Sequence, residues 1–198
     1  MQFKDKVALV TGGTSGIGAA TTARRFAREG AWTFVLGRNR QNGEEVVREI
    51  LETGGKAHFV ACDVSDDKAI RESFQALTKE AGTLNILFNC AGVAPVGTLE
   101  EVCTDLWSRA FALNVESMFH FSKLAVPVMR RSGSGVIINV SSSAGTVGAW
   151  GCIYTRPPKV PLSSSPEAWL RFRTGKHPCE LPVPGCHDNL HDGAVENR

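Results

Sequence analysis

Surplus charge, paired cysteines and, over its first three quarters, proline are all scarce in this sequence. Lys and Arg number 22 against 20 Asp and Glu, leaving a net charge of +2. That balance gives no reason to expect a nucleic-acid or strongly acidic partner. No stretch approaches the roughly 18 apolar residues that a spanning helix needs, so no membrane partner is expected. The opening residues, MQFKDKVALVTGG, hold no long apolar run and no cleavage signature, so no secretory leader is expected. The six cysteines lie far apart and form no CxxC. Free thiols in a cytoplasmic protein fit that pattern better than a disulfide framework. A length of 198 residues allows one domain with a real core.

Proline divides the chain. Seven of the nine prolines, Pro157, Pro158, Pro161, Pro166, Pro178, Pro182 and Pro184, follow Cys152. Before that point apolar runs alternate with amphipathic stretches. Strands are expected at Lys6–Thr11, Trp32–Leu36, AHFVAC, LNILFN and GVIINV. Helices are expected at Gly16–Glu29, Gly43–Thr53, Asp66–Glu80 and Thr104–Arg130. The apolar side of the last includes Leu106, Trp107, Ala110, Phe111, Val115 and Met118. Continuous Val, Ile and Leu runs suit strands covered on both faces. Their alternation with helices implies an α/β, doubly wound parallel sheet. Residues 1–151 read as this domain. Residues 152–198 read as an irregular tail, since proline removes ladder donors and breaks helices.

The segment ALVTGGTSGIGAATTARRFA places Gly12, Gly16 and Gly18 between the first strand and the first helix. Glycines there tighten the turn and let backbone approach a pyrophosphate, with the helix N-terminus offering free N–H groups. A glycine triplet alone also fits a plain turn. Its place after a buried strand and before a helix favours a nucleotide. The second strand ends FVLGRN. An acid at its end would bond a ribose 2′-hydroxyl and favour NAD. Gly37 and Arg38 stand there instead, with Arg40 close by, and a guanidinium suits the 2′-phosphate of NADP. NADP is therefore the expected cofactor, with NAD the alternative.

These residues, with TGGTSGIG (11–18), CDV (62–64), NCAG (89–92), LNV around Asn114 and NVSSSAG (139–145), resemble the short-chain dehydrogenase/reductase family, whose domain is of the Rossmann type. The likeness is to its 3-oxoacyl-carrier-protein-reductase-like members. NCAG differs from the commoner Asn-Asn-Ala-Gly by Cys90. The resemblance implies hydride transfer between a nicotinamide and a small-molecule carbonyl or secondary alcohol, in a homo-oligomer. It implies that Gly12, Thr14, Ser15, Gly16, Ile17 and Gly18 hold the cofactor. Asp63 and Val64 would line the adenine pocket, and Asn89, Ala91 and Gly92 the floor beneath. Ser142 would bond the substrate oxygen, and Asn114 would hold a water in a proton relay. Ser141 and Ser143 read as strand-end hydroxyls, and His120 as a packing or surface histidine.

The family's proton donor is a tyrosine, with a lysine one helical turn later to lower its pKa. The tyrosine follows the catalytic serine by about thirteen residues, a place held here by Thr155. Tyr154 stands one position early and Lys159 stands where the lysine belongs, with Pro157 and Pro158 between them. Two prolines there break the helical turn that would align the pair, so a working dyad is not expected. Back-translated codons from Tyr154 to Leu162, read one base out of phase, permit Tyr-Ala-Ala-Ser-Lys-Gly-Ala-Leu. A frameshift just before residue 154, with an out-of-frame tail, is the expectation, and the gene's DNA sequence tests it. Beside a full-length family member, the resemblance implies a Rossmann-type sheet incomplete at its C-terminal side, with GVIINV left as an open apolar edge.

Two other functions are weighed. One is a catalytically silent chain that binds nucleotide alone. The other gives the tail a zinc site at Cys179, Cys186, His187 and His191, although the intervals match no familiar pattern. Arg171, Arg173 and Lys176 form at most a small basic patch.

Overall fold

The computed structural model describes residues 1–98, 100–142 and 170–173. Five parallel strands alternate with helices. They are β1 (Val7–Thr11), β2 (Trp32–Gly37), β3 (Lys56–Ala61), β4 (Ile86–Asn89) and β5 (Ser134–Asn139). A short strand, β6 (Leu170–Arg173), pairs antiparallel with β5. The sheet order is β3-β2-β1-β4-β5-β6. The expected doubly wound parallel sheet is present, and its order reverses between β1 and β4. Such sheets bind ligands outside the carboxyl ends of the strands at that reversal.

Side-chain alternation along β1 and β2 divides the core. Val7, Leu9, Phe34 and Leu36 face one side with Leu87, against Ile70, Phe74 and Leu77 of α3 (Asp67–Ala81) and Phe121, Ala125 and Met129 of α5 (Ser117–Arg131). Ala8, Val10 and Val35 face the other, against Phe26 and Ala27 of α1 (Arg24–Arg28) and Val46 and Ile50 of α2 (Arg40–Glu52). Both faces are covered, which is why these strands read as unbroken apolar runs. The helices start and stop on local signals. Asn39 and Asp66 cap α2 and α3 by accepting from the N–H groups of Asn42 and Lys68 at 3.0 and 2.8 Å. Gly82, at φ +72°, ends α3 in the left-handed region that glycine adopts without strain.

Four departures from the sequence reading appear. The stretch from Thr104 to Arg131 is α4 (Thr104–Phe111), a π-helical turn (Ala112–Glu116) and α5, rather than one regular helix. A second π-helical turn, Gly18–Ala23, precedes α1. The apolar side expected for the 104–130 stretch is also corrected. Leu106, Phe111 and Val115 are exposed, and only Ala110 of the six named residues is buried. The buried stripe is Ala110, Ser117, Phe121, Ala125, Val128 and Met129. An extra residue per turn rotates the helix face, so a stripe projected with one period from Leu106 misses the sheet downstream. Finally, the edge of β5 is paired rather than open, with Ser134 opposite Arg173 and Ile137 opposite Leu170. Those four residues are a strand inside the segment read as irregular.

Candidate functional site

The loops leaving β1 and β4 lie side by side at the sheet's reversal, because β1 and β4 pair in register with Thr11 opposite Asn89. Thr11 Oγ1 fastens them by accepting from the N–H groups of Cys90 and Ala91 at 3.0 and 3.2 Å. The contact is close. A Cβ built on Gly12, which has φ +67°, would stand 2.8 Å from the Ala91 Cα. A Cβ on Gly18 would stand 2.4 Å from the Gly12 carbonyl oxygen. Gly16, at φ +53°, has nothing within 4 Å of where its Cβ would be. The loop is therefore tight beneath and bare above, and Ser15, Gly16 and Ile17 lie exposed along it. Ile17 holds a large apolar side chain in solvent at 64% exposure, beside the start of the helical stretch. Gly13 N–H donates to the Leu36 carbonyl at 3.0 Å, tying the loop to the end of β2.

Arg38 projects exposed just past β2 and makes no ion pair or side-chain hydrogen bond among the described residues. Arg40, by contrast, is bound to Glu44 at 3.0 Å and lies over the Phe59 ring. Asp63 is exposed after β3. The Ser65 N–H donates to it at 3.0 Å and holds its carboxyl below the usual range, helped by the Ser65 hydroxyl and the charges of Arg38 and Arg109. Val64 is buried among the core side chains beside Ile70 and Phe74.

Asn89 is buried, and its Nδ2 donates to Asn139 Oδ1 at 2.8 Å across the paired ends of β4 and β5. Its Oδ1 is buried without a partner among the described residues. Cys90 is half-buried. Burial raises its thiol pKa, against a contact from the Gly18 N–H. Beyond Gly92 the chain is gripped by Asn114, in the second π-helical turn. Asn114 Oδ1 accepts from Val93 N–H at 2.8 Å and its Nδ2 donates to the Val93 carbonyl at 2.8 Å. A Cβ on Gly92 would stand 3.0 Å from that Oδ1, so glycine leaves the amide its space. Ser142 lies exposed, three residues beyond the end of β5. His120 pairs with Asp67 at 3.3 Å, as a surface histidine. Tyr154, Lys159 and the tail residues Lys176, Cys179, Cys186, His187 and His191 lie outside the described residues.

The sequence match decides the family: residues 6–155 match short chain dehydrogenase. The chain belongs to the short-chain dehydrogenase family. It is 41% identical over 148 residues to a 3beta-hydroxysteroid dehydrogenase of Mediterraneibacter gnavus, covering 74% of this chain and 53% of that protein. It is 37% identical over 150 residues to a cyclopentanol dehydrogenase of Comamonas testosteroni, covering 76% and 60%. Among solved structures, it resembles a 7 alpha-hydroxysteroid dehydrogenase complexed with NADH and 7-oxo glycochenodeoxycholic acid, with TM-score 0.72, 31% identity and coverage of 76% and 58%. A metagenomic short-chain oxidoreductase in complex with NADP gives TM-score 0.74, 33% identity and coverage of 78% and 71%. The chain thus spans a little over half the length of the curated relatives it matches.

The structure brings Gly12, Thr14, Ser15, Gly16, Ile17, Gly18, Asn89, Ala91 and Gly92 to one end of the sheet, at its reversal. It links Asn114 to that group through Val93. Sequence reading gave no role to Thr11 or Asn139. The signal for both was present, since TGG and the two strand-final asparagines stand at the ends of strands that pair in register.

Proposed function

We propose that this chain is the nucleotide-binding part of a nicotinamide-dependent dehydrogenase that acts on a carbonyl or secondary alcohol of a small molecule. The bare Gly16 backbone above a loop too tight for any side chain at Gly12 or Gly18 carries this reading. A diphosphate fits that cradle, since glycine backbone admits it closely and the helical stretch after the loop presents free N–H groups. The described residues thus fit the cofactor. NADP is favoured over NAD because Arg38 stands exposed, with no ion pair among the described residues, where the 2′-phosphate would be read.

When bound, the nicotinamide supplies a hydride acceptor or donor. The chain's own part is to hold and to shape. Thr11 fixes the floor at Cys90 and Ala91, and Asn114 fixes its continuation at Val93. Asp63 and Arg38 bound the adenosine end. Ser142, three residues past the end of β5, would bond a substrate oxygen. The hydroxysteroid and cyclopentanol dehydrogenases among the relatives support a cyclic alcohol more than an acyl-carrier-protein thioester. A cytoplasmic place and a homo-oligomeric assembly suit the family. No helix among the described residues is long and apolar enough to cross a membrane.

A second reading rests on Pro157 and Pro158 between Tyr154 and Lys159. With no aligned dyad the chain binds the nucleotide without turning it over, since loss of a positioned acid–base group removes about 10²–10⁴ in rate. Absorbance at about 340 nm, followed with NADP and a panel of cyclic secondary alcohols, separates the two. Turnover supports the dehydrogenase. Nucleotide binding with no turnover supports the silent form.

A further inference from the structure

A close steric contact also joins the glycine loop to the end of β2. A Cβ placed on Gly37 would stand 2.5 Å from Thr14 Cγ2, 2.8 Å from Thr14 Oγ1 and 3.2 Å from Thr14 Cβ. Gly37 is buried, and its backbone is held against β3. It is the last residue of β2, lies opposite Ala61 of β3, and its carbonyl accepts from Cys62 N–H at 3.1 Å. The loop carrying Thr14 is tied to the same strand through Gly13 and Leu36.

Thr14 cannot turn out of the way. A β-branched side chain fills two of the three staggered positions on its Cβ. Here the two filled positions are the two that crowd Gly37. Either other rotamer empties only one of them and leaves a heavy atom in the other. A serine, with one heavy branch, has a rotamer that clears both.

Position 37 closes the strand whose end reads the adenosine ribose, where an acid bonds the 2′-hydroxyl. We infer that Thr14 is a specificity-determining residue: it forbids any side chain at position 37, and so keeps a ribose-binding carboxylate out of the site. The ribose edge is then left to Arg38 alone. This inference rests on the proposed nucleotide site and deepens it, by locating part of the choice between NADP and NAD in a residue of the phosphate loop.

Four proteins test it: the wild type, Gly37→Asp, Thr14→Ser and Thr14→Ser/Gly37→Asp. Each is titrated with NADPH and NADH by fluorescence, and its melting temperature is recorded. The expected result is that Gly37→Asp alone weakens both nucleotides by about tenfold or more and melts below the wild type. Adding Thr14→Ser restores the melting temperature and brings back NADH binding, but not NADPH binding. Tight NADH binding by Gly37→Asp alone, at an unchanged melting temperature, overturns the inference. If no protein binds either nucleotide, the reading of the site itself fails. The steric claim is still decided by whether Thr14→Ser rescues the melting temperature of Gly37→Asp. Rescue supports it and no rescue overturns it.

Discussion

Asn114 clasps Val93 by both faces of one residue's backbone, accepting from its N–H and donating to its carbonyl, each at 2.8 Å. A side-chain amide is suited to this, because it carries an acceptor and a donor at a fixed separation. The clasp holds the strand leaving the floor of the site against the π-helical turn. Asn114→Asp keeps the acceptor and loses the donor, leaving the Val93 carbonyl unmatched. It is expected to destabilise by about 0.5–1.5 kcal/mol and to weaken NADPH binding. Paired denaturant and nucleotide titrations check it. Unchanged values in both would remove the clasp from the site's support.

Asn89 and Asn139 form a second amide pair, across the paired ends of β4 and β5. Asn89 is 1% exposed, so truncating its partner leaves the buried Nδ2 with only the long 3.5 Å contact to the Ser122 hydroxyl. Asn139→Ala is expected to cost about 1–3 kcal/mol. Asn89→Leu/Asn139→Leu is expected to cost less than the sum of the two single changes, because both polar groups leave together. A double-mutant cycle by urea denaturation reads the coupling, and strict additivity would contradict the pairing.

The described cysteines differ in reach. Cys62 is buried and its thiol pKa is raised by desolvation, Cys90 is half-buried and also raised, and Cys103 is exposed. Thiolate is the reactive form, so alkylation is expected in the order Cys103, Cys90, Cys62. NADPH is expected to slow Cys90 alone, since Cys90 touches the Gly18 N–H beneath the phosphate loop. Peptide mass spectrometry after timed iodoacetamide treatment gives the order. Protection of Cys103 in place of Cys90 would contradict the placement.

Asp63 gives a pH dependence with a definite sign. Its carboxyl lies below the usual range, chiefly through the Ser65 N–H. A carboxylate whose folded pKa is depressed adds stability above its unfolded pKa. That stability is lost as pH falls through the folded value. The side chain is exposed, so the contribution is about 0.5 kcal/mol or less. Asp63→Asn is expected to remove it at neutral pH and to match the wild type in strong acid, below both pKa values. Melting temperatures across that acid range check this. A variant equal to the wild type at neutral pH would contradict it.

Most of the sheet is legible in the sequence because its central strands, β1, β2 and β4, are buried on both faces. VALVT, WTFVLG and ILFN need no partner to be recognised. The glycine loop is legible for a similar reason, since its tightness is written in residues that only glycine can replace. What the sequence hides depends on partners far along the chain. The inward face of α5 is set by a π-helical turn upstream, which no single period reveals. The clasp of Asn114 on Val93 spans 21 residues. The exclusion of a side chain at Gly37 comes from Thr14, on another strand's loop. In each case the residue type was visible and its target was not.

The central claim is that the loops after β1 and β4 form a dinucleotide cradle. Calorimetric titration of the folded chain with NADPH tests it most directly. Saturable binding of one nucleotide per chain is expected, tighter for NADPH than for NADH and weakened by Arg38→Ala. A folded chain that takes up neither nucleotide would contradict the claim.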